Sequence, residues 1–134
     1  MRDMVMKAGR ANEFKIASCA TSDEELGNPV HPGTKRLLAA HGIDCIGKTA
    51  RQLKRDEYKN WDYIIGMDDQ NISAINRIFK RDPEAKVHKL LAFANGGTGG
   101  TNARDIADPW YTGDFETTWK DIQAGCEGLL AALK

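Results

Sequence analysis

Hydrophobic residues along this chain fall into two alternating patterns: short apolar runs, and longer stretches in which apolar positions recur at helical spacing. The runs predict buried strands and the periodic stretches predict amphipathic helices. The predicted strands are residues 14–19, 63–67 and 87–93. The predicted helices are residues 1–8, 34–41, 51–59 and 115–134, and a stretch after Asp68 or Asp69 that carries Ile72, Ile75, Ile78 and Phe79. Strands that alternate with helices are typical of the α/β class, in which helical crossovers join parallel strands.

The chain opens on an amphipathic helix with no strand before it. Its apolar residues Met1, Met4, Val5 and Ala8 share one face, and Gly9 is suited to end it. Only three strands follow, and a parallel sheet is normally covered by helices on both faces. We therefore expect a single, N-terminally truncated domain over residues 1–134, a parallel sheet flanked by helices from which the first strand is missing.

Composition narrows the possible partners. The chain has 134 residues, with 19 Lys and Arg against 19 Asp and Glu, so its formal net charge is zero. A nucleic-acid partner is not expected, because neutralising phosphates requires a basic excess. A membrane partner is not expected either, since no apolar run approaches the ~20 residues that span a bilayer.

Cysteine and histidine usage indicates neither disulfides nor a metal. The cysteines, Cys19, Cys45 and Cys126, are odd in number and widely spaced, and no Cys-x-x-Cys pair occurs. The three histidines are scattered, without metal-ligand spacing. We predict no metal or other cofactor, and a reducing, cytoplasmic location.

One segment matches a nucleotide-binding pattern. Residues Gly42–Thr49 fit G-x-x-x-x-G-K-[ST], in which backbone amides cradle phosphates and the lysine reaches the terminal ones. A true site follows a buried strand and opens a long helix, whereas here a helical stretch precedes the segment and a short, polar one follows. Nucleotide binding is therefore kept only as an alternative.

The same segment contains a second pattern. Cys45 and Arg51 are separated by five residues, the spacing that phosphatases use for a thiolate nucleophile and a phosphate-binding arginine. No apolar strand precedes Cys45, and no Ser or Thr follows Arg51. The simpler interpretation is a small buried cysteine in a loop.

An Asp-Pro pair followed by two aromatics is the strongest candidate for chemistry. Asp108 precedes Pro109, Trp110 and Tyr111, which places a carboxyl beside an apolar wall that would desolvate it, raise its pKa and suit it to general-acid catalysis. The aromatics could stack on a flat substrate. The alternative is a turn whose aromatics fill the core. The glycine-rich loop at residues 95–102 is expected to be mobile and without a fixed partner.

Taken together, these segments resemble the low-molecular-weight protein-tyrosine-phosphatase family. Order and spacing match over essentially the whole chain. The segments that carry the resemblance are Phe14–Ser22, Gly27–Pro32, His41–Leu53, Tyr63–Asp68 with Asn71, and above all Asp105–Glu116.

The resemblance implies a four-stranded parallel sheet flanked by helices in a three-layer sandwich, and hydrolysis of phosphotyrosine monoesters through a cysteinyl-phosphate intermediate without metal. It implies that Asp108 is the general acid, that Trp110 and Tyr111 line the substrate cleft, and that Ser18 supports the phosphate loop. The partner would be a phosphotyrosine-containing protein or a small aryl phosphate.

This sequence departs from the family in one respect. The family's first strand and its Cys-x5-Arg-Ser phosphate loop are not among the 134 residues, so we expect the chain as written to be inactive, because acid assistance alone supplies only ~10²–10⁴-fold. Two expectations accompany this one. The chain could act as a non-catalytic phosphotyrosine- or anion-binding module, and its unpaired strand edges could lead to self-association.

Overall fold

The structure, a computed structural model, describes residues 1–133. The chain divides into two compact units, Met1–Gln52 and Leu53–Lys134. The end of the last predicted helix, at residue 134, lies outside the described residues. That all 134 residues form one domain stays a prediction.

The first unit contains two α-helices. Helix α1, Arg2–Lys7, confirms the opening helix and is followed by Gly9 at φ 72° and a short 3₁₀ turn, Ala11–Glu13. Helix α2, Pro32–Ala40, begins two residues earlier than predicted, since proline favours the first turn and the Nδ1 of His31 accepts a hydrogen bond from the Gly33 amide at 3.0 Å.

The strand predicted at residues 14–19 is not formed. This segment has no ladder, and the chain beside it makes one isolated parallel bridge, between Ala20 and Gln52. A strand needs a second extended segment along its whole length. At the parallel bridge the Ala20 amide donates to the Arg51 carbonyl at 2.7 Å.

The second unit is built on a parallel two-stranded sheet. Strand β1, Ile64–Gly66, pairs with strand β2, Val87–Lys89, in the register Ile64 to Val87. Helix α3, Asp69–Phe79, makes the crossover and packs on both strands. The α/β class and the open parallel sheet are therefore confirmed. Within residues 1–133 the sheet has two strands, fewer than the three predicted and the four that the resemblance implied.

The core of the second unit lies between α3 and the sheet. Its buried side chains form one apolar cluster, with partly buried aromatics packed around it. The cluster consists of Leu53, Ile64, Ile72, Ile75 and Val87. The helix predicted at residues 51–59 is a shorter 3₁₀ segment, Arg55–Asn60, which contributes Tyr58 to the edge of this cluster.

The strand predicted at residues 87–93 ends at Lys89. The next residues, Leu90–Gly96, form a bent 3₁₀ segment in which Asn95 has φ 54°, and helix α5, Phe115–Ala132, packs against it. Leu90 and Phe93 are buried. Their apolar character therefore reflects contact with a helix rather than with a neighbouring strand. The short helix α4, Pro109–Thr112, precedes α5.

Candidate active site

Asp108 is held at the start of α4 by its own sequence neighbours. Pro109 occupies the first helical turn, and the Oδ1 of Asp108 accepts a hydrogen bond from the Trp110 amide at 2.9 Å. This N-cap bond fixes the carboxylate. The Asp108 side chain is exposed, so the prediction that an apolar wall would desolvate it is wrong.

Both aromatics of this turn face outward. Trp110 is 64% exposed and Tyr111 is 84% exposed. The alternative in which they fill the core is therefore wrong. Two large apolar surfaces instead lie next to an exposed carboxylate on one four-residue helix, which suits contact with a flat ligand.

The segment before Asp108 is bonded to three different elements. The Ile106 amide donates to the Met67 carbonyl at 2.9 Å, and Ile106 itself is 3% exposed. The Thr118 hydroxyl, on α5, donates to the Ala107 carbonyl at 2.8 Å. These bonds place the start of α4 on a fixed base.

The third of these elements is β2, which contributes a buried lysine. Lys89 is 2% exposed, and its Nζ lies 2.7 Å from Asp105 Oδ1 and 2.6 Å from Asp69 Oδ1. Hydrogen bonds to Asp105 and Asp69 raise the pKa of Lys89, and the bond from Lys89 lowers the pKa of Asp105. This cluster was not predicted from the sequence. The sequence offered one signal for it, since Lys89 is a charged residue inside the apolar run at 87–93 that was predicted to be a buried strand.

The glycine-rich loop is bound to the end of β2. The Gly100 amide donates to the Nδ1 of His88 at 2.7 Å, and the Lys89 amide donates to the Gly100 carbonyl at 2.8 Å. Burial lowers the pKa of His88, and Asp82 partly offsets this effect. The expectation of a loop without a fixed partner is wrong at this point.

The remaining predicted residues lie in the first unit. Ser18 is exposed, on the irregular segment before Ala20, and Cys45 is half-buried. Of the amides that follow Cys45, that of Ile46 donates to Asp44, that of Lys48 to the Cys45 carbonyl, and that of Ala50 to Asn28. They are therefore committed to turns and bridges rather than turned toward one phosphate.

The segment Gly42–Thr49 also lacks the expected helix. Thr49 pairs with Pro29 in an isolated antiparallel bridge, and the next helical segment begins at Arg55. The pattern thus occurs without the structural context that a nucleotide site needs. Among residues 1–133, no group of three His, Cys, Asp or Glu side chains is arranged to hold a metal ion.

The open parallel α/β fold is that of solved low molecular weight protein tyrosine phosphatases. A family profile described as low molecular weight phosphotyrosine protein phosphatase matches residues 1–134. The chain belongs to this family, as the sequence resemblance indicated.

Similar proteins include bacterial phosphatases. The low molecular weight protein-tyrosine-phosphatase YfkJ of Bacillus subtilis is 33% identical over 133 residues, which are 99% of this chain and 83% of YfkJ. The crystal structure of YfkJ matches with a TM-score of 0.89, covering 98% of this chain and 80% of that one. SP-PTP of Streptococcus pyogenes, also solved, matches at 35% identity and a TM-score of 0.78, covering 97% of this chain and 81% of that one.

Within residues 1–133, every helix is too short or too polar to cross a bilayer.

Proposed function

We propose that this chain carries the leaving-group side of a site that hydrolyses phosphotyrosine monoesters. Asp108 acts as the general acid, and Trp110 and Tyr111 contact the aromatic ring of the substrate. The observation that carries the proposal is one exposed turn on which a capped carboxylate and two outward-facing aromatics are adjacent. The substrate is a phosphotyrosine-containing protein or a small aryl phosphate.

The chemistry explains why an acid is needed. A tyrosine leaves as a phenolate, whose conjugate acid has a pKa of about 10, so protonation of the departing oxygen lowers the barrier by the equivalent of ~10²–10⁴ in rate. In the first step of the proposed reaction, a cysteine thiolate forms the S–P bond while the O–P bond breaks. In the same step Asp108 gives its proton to the phenolate oxygen. Asp108 then takes a proton from the water that cleaves the S–P bond.

We also propose that these 134 residues alone do not complete this reaction. Their one Cys-x5-Arg pair is Cys45 and Arg51. The amides of Ile46, Lys48 and Ala50 already have acceptors, and no helix begins between Cys45 and Arg51. We therefore do not propose Cys45 as the nucleophile. Ser18 is kept as a residue that would support a phosphate loop.

The first test is turnover of an aryl phosphate by the 134-residue chain. We expect no hydrolysis above the rate of the Cys45→Ser variant. Turnover that Cys45→Ser abolishes would make Cys45 the nucleophile and overturn this part of the proposal.

The second test supplies the missing group. A segment that encodes an apolar strand and a Cys-x5-Arg-Ser loop, fused in frame before residue 1, should produce phosphatase activity. In that fusion Asp108→Asn should lower kcat by about 10²–10⁴ for phenyl phosphate. The loss should be smaller for an ester with a more acidic leaving group, which needs less protonation. Glu116→Gln, an exposed acid at the start of α5, is the control and should leave kcat unchanged.

A second candidate function is a non-catalytic module that binds phosphotyrosine. The exposure of Trp110 and Tyr111 favours it. Titration with phosphotyrosine should change the tryptophan fluorescence of the chain, and Trp110→Phe should remove that change. A response that persists in Trp110→Phe would place the ligand elsewhere.

Two further parts of the proposal concern the chain's surroundings. An odd number of widely spaced cysteines suits a reducing compartment such as the cytoplasm. The edges of a small open sheet can pair with a second copy of the chain. Light scattering of the purified chain at increasing concentration tests self-association, and a constant monomer mass would count against it.

A further inference from the structure

The buried lysine at the end of β2 has no role in the function proposed so far. We infer that Lys89 is a positioning residue, which fixes the segment before Asp108 and thereby the orientation of the Asp108 carboxylate. This inference rests on the proposed role of Asp108 and adds a residue that does not touch substrate.

All three donors of the Lys89 ammonium are in use. Its Nζ donates to Asp105 Oδ1 at 2.7 Å, to the Ala103 carbonyl at 2.7 Å and lies 2.6 Å from Asp69 Oδ1. An ammonium has three N–H groups and no acceptor. A buried charge is tolerated only when it is paired and bonded in this way, so the three partners are held at fixed positions around Nζ.

These partners join three parts of the second unit. Lys89 is the last residue of β2, Asp69 is the first residue of α3, and Ala103 and Asp105 belong to the segment that leads to Asp108. The Asp69 amide also donates to Asp105 Oδ1 at 2.9 Å. One carboxylate oxygen of Asp105 therefore receives both the lysine and the start of α3.

Each of the next two residues has a separate support. The Ile106 amide bonds to Met67, and the Ala107 carbonyl accepts from the Thr118 hydroxyl. Of the three residues before Asp108, Asp105 is thus bonded to β2 and α3. The next residue is bonded to the chain just after β1, and the third is bonded to α5. Only Asp105 depends on a buried charge, so removal of Lys89 should release the segment at that end.

Precision in this segment matters for a general acid. A catalytic group must be held within ~0.5 Å of its productive position by the residues behind it. Asp108 is exposed, and its carboxylate is bonded to the Trp110 amide of its own turn, so the position of the whole turn depends on the backbone that precedes it.

The alternative is that Lys89 stabilises the whole unit without any special effect on Asp108. Amide hydrogen exchange separates the two, because it reports each amide. The Trp110 amide is bonded to the Asp108 carboxylate, so its exchange rate reports directly on that carboxylate. The Ile75 amide, inside α3, reports global opening.

The experiment compares Lys89→Met with the unchanged 134-residue chain. Methionine keeps the unbranched apolar stem and removes the ammonium. We expect exchange at Ile106 and Trp110 to become about tenfold faster or more, relative to exchange at Ile75. Lys86→Met is the matched control, since Lys86 pairs with Glu84 and the Tyr58 carbonyl rather than with this segment. It should leave Ile106 and Trp110 unchanged.

A second pair of variants keeps the test decisive where Lys89→Met does not fold. The Asp105 side chain is 47% exposed, so its replacement is tolerated more easily. Asp105→Ala should accelerate exchange at Ile106 and Trp110 as Lys89→Met does, and Asp105→Asn should restore much of the protection, because its amide oxygen still accepts hydrogen bonds.

The outcomes are distinguishable from those of the activity tests. Equal acceleration at Ile75, Ile106 and Trp110 would show a purely structural lysine and overturn the inference. Selective acceleration would support it, even if Asp108→Asn in the fused protein left kcat unchanged. That kinetic result would overturn the role of Asp108 instead.

Discussion

Replacement of Gly128 by alanine offers a sharp test of how α5 packs. Gly128 lies on the face of α5 that contacts Leu90–Gly96. A Cβ built on it would lie 1.8 Å from the Phe93 carbonyl oxygen and 2.5 Å from its carbon. Ordinary contact begins at 3.4 Å, so the two segments would have to separate by about 1.6 Å.

The expected loss of stability is the difference between two effects. In an open helix position, alanine is favoured over glycine by ~1 kcal/mol. Overpacking against a rigid neighbour costs about 1–3 kcal/mol, and a backbone carbonyl that cannot rotate away places this case near 3. Gly128→Ala should therefore lower the free energy of unfolding by about 2 kcal/mol. For a chain of this length that corresponds to a Tm decrease of roughly 6–12 °C.

The assay is thermal and urea unfolding followed by circular dichroism, with Ala131→Gly as the control. Ala131 is an exposed position in the last turn of the same helix, so its replacement measures helix propensity alone and should cost at most about 1 kcal/mol. A higher Tm for Gly128→Ala would refute the predicted loss of stability. That result would mean that propensity outweighs contact and that α5 does not approach Phe93 so closely.

Two predictions concern pH. Burial alone would raise the pKa of Asp82, but hydrogen bonds from the Tyr58 hydroxyl and from the Lys86 and Val87 amides outweigh it and lower the pKa below 3.8. Asp82 therefore stabilises the fold above its unfolded pKa, and this contribution is lost as the pH falls through the lower folded pKa. Asp82→Asn should weaken the acid dependence of the urea midpoint. Burial lowers the pKa of His88 below 6.5, so the folded state disfavours the protonated ring. Stability should decline as the pH falls below 6.5 toward the lower folded pKa, and His88→Gln should remove that decline; an unchanged profile in either variant would contradict the assignment.

The turn at Asp108 was predictable because its hydrogen bond is local. Asp108 and Pro109 contain the information for an N-cap and a first helical turn, and the Trp110 amide that bonds the carboxylate is two residues away. The exposure of Trp110 and Tyr111 was not predictable, since the same residues read equally well as a buried turn. Whether an aromatic faces water depends on what other segments cover.

The errors in strand prediction have a related cause. An apolar run shows that residues will be buried but not what will bury them. At residues 90–93 the covering element is α5, and the chain turns into a 3₁₀ segment. At residues 14–19 apolar composition was insufficient because a ladder requires a partner along its length.

By itself, the sequence determined helices α1, α2, α3 and α5, the α/β class, the family and the acid-aromatic turn. Helical hydrogen bonds, helix caps and motifs all depend on residues within a few positions of one another, so they can be predicted from the linear sequence. Only the tertiary structure decided that Lys89 is buried and joined to Asp105, sixteen residues further on, and that Gly128 lies against Phe93. Such contacts form between groups distant along the chain, and their energies depend on burial and distance that no linear spacing specifies.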